Sequence, residues 1–431
     1  MKRVSIGVLM FVVLSAGLAT ATETRIRTLG ENYDTLRDED NIWLYPSTLI
    51  EYPNRMIGEV RMGEFGKAGG HWGIGSFVLG AYFNTSEYSF IGKIPELGTL
   101  ESFSIDQRID FFYGQHLGDL PFGLRLSLWG EGSKKEDDPQ TSQDPNYENS
   151  YARVELAGGL TAMDGKLDLA GSLGGMGFEE KEDFDDPTTT EYRFLTYTPS
   201  KSDGSLDLSL RGRYWHRISP QWTLVPHASF GHMTLDYVGQ TYYQESGTVK
   251  FFDDKKAEFS VTDITLGVGT NYAPSPKVLT VTDVGLVFSS ATVEYTSFET
   301  PTGDSYVSHE YTNKPKYIPY FKMGLEGTVK PWLDVRIGVV SEWHSTTEEY
   351  VYEYRMNQQG DDGKKESSTS GVRARTYLGA GFRFGDFAID TDLDASFLNN
   401  GPYFITGAST DDGGAGWAAR VAFRYDFAAE D

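Results

Sequence analysis

Apolar and polar residues alternate one by one over long stretches of this chain, and no other feature constrains its fold so tightly. The clearest case is "GWAARVAFRYDFAAED". From Ala419 to Phe427 every second residue is apolar, while Arg420, Ala422, Arg424 and Asp426 fall between. Such alternation gives a strand two unlike faces. It recurs in "FSIDQRIDFFYGQ", "FGLRLSLWG", "LDLSLRGRYW", "LDVRIGVVSEW" and "RARTYLGAGFRF", and roughly fifteen such segments can be counted. No long stretch carries a helical period, so the chain reads as all-β.

Two hairpins test the register. Asp164-Gly165 is a two-residue type I′ signal. Turning there sets Leu160 opposite Leu169, Gly158 opposite Gly171 and Leu156 opposite Leu173, with Thr161 opposite Asp168 on the other face. Gly385-Asp386 suits a type II′ turn. It sets Phe384 opposite Phe387 and Phe382 opposite Ile389, with Gly381 opposite Asp390 and Gly379 opposite Asp392 on the polar face. A slip of one residue would scramble both patterns, so an antiparallel meander follows.

The connections alternate in length. Short ones are "GKAGG", "LGDLP", "MDGK", "SPQ", "APSPK", "KPW" and "GD"; long ones include "SKKEDDPQTSQDPNYENS", "EEKEDFDDPTTTE", "NQQGDDGKKESSTS" and "NNGPYFITGASTDDGGAG". An up-and-down barrel in an outer membrane has this signature, with tight periplasmic turns and long outer loops. The segments also meet the length of a transmembrane strand, about 9–11 residues. Trp72, Tyr82, Trp129, Trp215, Trp222, Trp332, Trp343 and Trp417 stand near segment ends, where interfacial girdles belong. The expected fold is an antiparallel up-and-down transmembrane β-barrel of about 14–16 strands. Ala419, Val421, Phe423, Tyr425 and Phe427 then face lipid, with Leu169, Phe382 and Ile389. Asp168, Asp390 and Arg424 face the lumen.

The N-terminus reads as an export signal: "MKR", an apolar run, then Ala19-Thr20-Ala21, with cleavage expected after Ala21. Residues 1–21 are the signal peptide, 22–53 an N-terminal segment and 54–431 the barrel. Cysteine is absent, and a formal charge of −24 argues against nucleic acid as a partner. With "GKAGG" as a periplasmic turn, the segment from Asn54 to Phe65 runs downward. The residues before it must then cross the barrel once, either as an extra strand, "NIWLYPSTLIEY", or through the lumen.

The final aromatic strand resembles the C-terminal recognition signal of bacterial outer-membrane barrels. Tyr425 and Phe427 carry the match, although "AAED" follows where the aromatic residue usually comes last. The resemblance implies the barrel assembly machinery as a partner, beside outer-membrane lipid and lipopolysaccharide. Gly30, Asp38, Asp40, Asn41 and Pro46 resemble the segment that follows the signal in fatty-acid transporter-like (FadL-like) barrels, with Tyr45 where an Asn is usual. That resemblance implies a plug or hatch inside the barrel.

Charges of both signs gather on the inward faces. The pore-lining candidates are Arg108, Asp110, Arg125, Arg211, Arg213, Asp334, Arg336, Arg373, Arg375, Arg383, Asp390, Asp392, Asp394, Arg420 and Arg424. Arg55, Glu59 and Arg61 share a face in the same way. Charged walls suit a channel for passive passage of small hydrophilic solutes; equally they suit a lattice of ion pairs filling the lumen. The alternatives are a hydrophobic-ligand (fatty-acid-type) transporter, for which the sequence offers no inward apolar cluster, and a structural or assembly protein with a plugged lumen. A homo-oligomer is compatible with each. His227 and Ser229 resemble the His-x-Ser core of outer-membrane lipases, but Phe230 and Gly231 replace the Asn-Gly that follows there. The pair reads as coincidental, and no enzyme is expected. Acidic loops such as Glu179 to Asp186 could bridge to lipopolysaccharide through divalent ions. Their spacing matches no known ligand loop, and neither a metal site nor a cofactor is expected.

Overall fold

The computed structural model describes residues 22–61, 64–84, 107–135, 146–183, 200–245, 248–299, 305–355, 363–393 and 420–427. The strands are β1 (Arg55–Arg61), β2 (Glu64–Ile74), β3 (Phe77–Asn84), β4 (Arg108–Leu117), β5 (Leu120–Lys135), β6 (Asn146–Ala162), β7 (Leu167–Asp183), β8 (Ser200–Tyr214) and β9 (His216–Ser219). They continue with β10 (Trp222–Glu245), β11 (Thr248–Ser275), β12 (Val278–Glu299), β13 (Ser305–Lys330), β14 (Leu333–Arg355), β15 (Gly363–Phe384), β16 (Phe387–Leu393) and β17 (Arg420–Asp426). β8 and β9 are one stave interrupted at Trp215, since both pair with β10. Each stave pairs antiparallel with the next, and β1 pairs with both β2 and β17. The result is a closed 16-strand antiparallel up-and-down barrel. Closure leaves no edge whose N–H and C=O groups would lack partners in lipid.

Both expected hairpin registers are present. Leu160 faces Leu169 and Thr161 faces Asp168; Phe382 faces Ile389 and Gly381 faces Asp390. Asp164 and Gly165 take φ of 55° and 79°, the left-handed values that a type I′ turn requires. Outside, Leu169, Leu173, Leu210, Leu266 and Phe423 are exposed. An apolar surface this continuous belongs against a membrane. Trp72, Trp222 and Trp332 stand exposed beside the short turns, and Trp343 lies exposed one transmembrane strand length, about 9–11 residues, beyond Trp332. Three residues assigned to the girdle point inward instead: Tyr82 and Trp129 are buried, and the Trp215 indole N–H donates to Asp168 at 2.9 Å. Parity along the strand, not nearness to its end, sets their side. Trp417 lies outside the described residues.

One connection was misplaced. Gly66 to Gly70 run inside β2, and the turn is Gly75-Ser76, with Gly75 at φ 61°. These glycines serve close approach rather than turning. A Cβ on Gly69 would collide with the Ala81 carbonyl and the Tyr82 ring. The correction reverses β1. It starts on the short-turn rim, where Arg55 pairs with Asp426 and the Phe427 N–H donates to the Asn54 carbonyl at 3.0 Å. No extra crossing is needed, and "NIWLYPSTLIEY" adds no strand. Connections 136–145, 184–199, 356–362 and 394–419 lie outside the described residues, as does the end of the acidic stretch from Glu179; Glu179 itself lies in β7.

Candidate functional site: the inner face and its N-terminal segment

Residues 22–54 pack against the inward faces of the staves. Helix α1 (Glu23–Thr28) is capped by the Thr22 hydroxyl, which accepts the Arg25 N–H at 3.3 Å. Gly30 and Glu31, at φ 78° and 55°, reverse the chain after it. Two 3₁₀ turns follow. Glu39–Trp43 starts with a capping box between Asp38 and Asn41, and Pro46–Glu51 starts on a proline, whose missing N–H costs nothing there. The segment's turns carry internal bonds, among them Arg25 to Asp38 and Tyr45 to Asp34, and the wall supplies further partners.

Ion pairs hold the first half, beside a small apolar cluster of Ile26, Leu29 and Leu36 with Val281 of the wall. Arg25 bridges Asp38 and Glu326, both at 2.7 Å. Arg336 bridges Glu326 and Asp390, both at 2.6 Å. Lys67 reaches Asp40 at 2.6 Å, Glu23 at 3.2 Å and Glu59 at 3.6 Å. Arg27 pairs with Asp392 at 3.1 Å, and Arg55 with Glu39 at 2.7 Å. Glycines let the backbone in: a Cβ on Gly324 would strike the Leu29 carbonyl, and one on Gly338 the Gly30 N–H. Hydrophobic contacts hold the second half. Ile42, Leu49 and Tyr52 form a buried cluster with Ile57, Val78, Tyr82 and Phe112 of the wall, and Trp43 meets Phe112 edge-on at 4.9 Å. This cluster corrects the expectation that no inward apolar group exists.

Carboxyl chemistry follows from burial. Burial pushes Glu39 up to about 7 against the pull of Arg55 and Arg424. Asp38 and Asp40 are likewise raised by burial, opposed by Arg25 and Lys67. Asp34 goes the other way: burial would raise it, but Arg211, His227 and Arg213 together hold it low.

Most of the expected pore-lining charges meet this segment or one another. The Arg213 guanidinium donates to Asp168 at 2.9 Å, to the carbonyls of Asp34 and Leu36 at 3.2 and 3.0 Å, and to Asn41 Oδ1 at 2.9 Å. Arg125 pairs with Glu155 and with the Trp43 carbonyl. Arg108 donates to Asp110 at 2.8 Å and lies over the rings of Trp43 and Trp129. Arg383 pairs with Asp334 at 2.5 Å, Arg420 with Glu23 at 2.5 Å and Arg424 with Asp426 at 3.1 Å. Arg375 reaches Glu31 and Glu342 near the segment's tip. Arg211 is half-buried, Arg373 is exposed, and Asp394 lies outside the described residues. His227 Nε2 lies 3.0 Å from Asp283 Oδ1. Among the described residues no three His, Asp or Glu are grouped to hold a metal. Sequence reasoning missed the glycine seats and the apolar cluster; neither has a signal that alternation alone displays.

No protein-family model matches the chain, and no curated protein matches it. Among solved structures, the toluene transporter TodX of Pseudomonas putida is 10% identical, with 93% of this chain and 97% of that one covered and a TM-score of 0.37. The toluene transporter TbuX of Ralstonia pickettii is 11% identical, covering 94% and 97%, at 0.37. The outer membrane protease OmpT of Escherichia coli is 9% identical, covering 87% and 96%, at 0.24. The fold and inner face together define a closed barrel of the transmembrane kind with an occupied lumen. That class rests on the strand pairing itself.

Proposed function

We propose that this protein is a bacterial outer-membrane transport barrel that is closed at rest, residues 22–52 acting as its plug. One observation carries the reading: the N-terminal segment is held to inward side chains all round the ring, from Lys67 and Arg125 through Arg213 to Glu326 and Asp392. A barrel of ~16 strands leaves an aqueous lumen unless something fills it. Here most of the charges that would line a hydrophilic channel pair with the plug or with one another. Passage therefore needs plug movement. In planar bilayers the intact protein is expected to show negligible conductance, and a variant lacking residues 22–52 to open steadily. Equal conductance of the two would defeat the reading.

A second observation bears on the ligand. The inner segment buries Ile42, Leu49 and Tyr52 against Ile57, Val78, Tyr82 and Phe112 of the wall, so the lumen has an apolar lining where the segment seats. Uncovered by plug movement, that lining supports a small ligand with an apolar body over a fully hydrophilic one.

A further inference from the structure

The start of the inner segment presents an unbalanced set of charges. Thr22 is 2% exposed, and its hydroxyl donates to Asp390 Oδ2 at 3.1 Å. Asp390 is itself 3% exposed and sits in a connected cluster. In that cluster Asp38, Glu326, Asp334 and Asp390 face Arg25, Arg336 and Arg383. Carboxylates exceed guanidiniums by one. Each of these carboxylates has a guanidinium partner, yet the set as a whole carries one net negative charge, and a further cation beside Asp390 would neutralise it.

We propose that the missing cation is the α-ammonium of Thr22, made when the Ala21–Thr22 bond is cleaved. A signal peptidase hydrolyses that amide with one water. The Ala21 carbonyl carbon takes the hydroxyl and leaves as a carboxylate, while the nitrogen stays on Thr22 and is protonated. That nitrogen is three covalent bonds from the hydroxyl that touches Asp390. The carboxylate oxygen therefore lies at most roughly 7 Å from it, and closer for a bent arrangement, near the range over which opposite charges stabilise each other. The bond at Ala21 is the one that the small residues Ala19 and Ala21 mark in the sequence. Cutting the leader and seating the segment are thus one event: processing supplies the charge that fixes the first residue in the lumen. This holds whatever the barrel transports.

The test reads the amine directly. Intact mass of the purified barrel should place the N-terminus at Thr22. An amine-reactive acetylating reagent should then modify the Thr22 α-amine at least about tenfold more slowly in the folded barrel than in the urea-unfolded chain, as expected where reaction waits on local opening. Asp390→Asn should raise the folded-state rate toward the unfolded one. Inserting Gly-Ser-Gly between Ala21 and Thr22 should do the same without touching the wall. An N-terminus elsewhere, or a native amine that reacts as fast as the unfolded one, overturns the proposal. Conductance plays no part in the readout, so failure here is distinct from failure of the plug reading.

Discussion

The two halves of the inner segment are held by different physics. From Thr22 to Asn41 the grip is mainly ionic and directional, centred on Arg25, Arg336 and Lys67, with a smaller apolar contact of Ile26, Leu29 and Leu36 against Val281. From Ile42 to Tyr52 it is apolar, centred on Leu49 and the Trp43 ring against Phe112. Buried ion pairs add little net stability when complete, but they are costly once one partner is lost. Apolar burial is non-directional and scales with area. The ionic half is therefore the part that can be released as a unit. The apolar half, joined directly to β1, is the anchor about which it would swing.

The largest expected effect breaks the ionic half. Arg25→Ala leaves Asp38 and Glu326 buried without their shared cation, a loss of about 3–5 kcal/mol. Hydrogen exchange should show peptides within 22–41 deprotected while those within 42–52 stay protected. Loss of protection in both halves alike would show that they are not separate units. Next comes the anchor. Leu49 is fully buried, and Leu49→Ala should cost about 2–5 kcal/mol through lost contacts and a residual cavity. Here exchange should rise first within 42–52; unchanged protection there would remove the anchor from the picture.

The smallest effect sharpens the junction. Glu39 carries a raised folded-state value of about 7, because burial outweighs Arg55 and Arg424. Between its ordinary value, about 4.5, and 7 the seated segment holds more protons than the released one. Seating by this group therefore weakens as pH rises through that window. Asp38 adds like charge beside it. Protection factors for the plug, taken against the unfolded chain at each pH so that the intrinsic base catalysis of exchange cancels, should be higher at pH 5.5 than at pH 8, and Glu39→Gln should flatten that difference. A pH dependence that survives the substitution would assign it to other groups.

Much of the wall was legible in the sequence because alternation reports on it directly. The registers about Asp164 and Gly385, and the inward placement of Arg213, Arg336 and Asp390, follow from period two alone. β3 and β4 were harder, since "FVLGAYFN" and "DFFY" are apolar on both faces; the inner apolar cluster hides in that symmetry. "GKAGG" misled for a related reason. Glycine marks turns and close approaches with the same letter, and only the Tyr82 ring beside Gly69 separates them. The clamp around Arg213 has no local signature at all, because its acceptors are carbonyls of Asp34 and Leu36 brought in from the far end of the chain.

The seam between β1 and β17 has a consequence for time. The first strand made waits for the last one before the ring can shut. The inner segment waits as long: Thr22 meets a residue 368 positions away, and Glu23 one 397 away. Contacts this distant form slowly. Arrival of the final strand thus sets a deadline. The segment takes its place as the ring shuts, or it must enter afterwards through the short-turn rim, against a wall already complete.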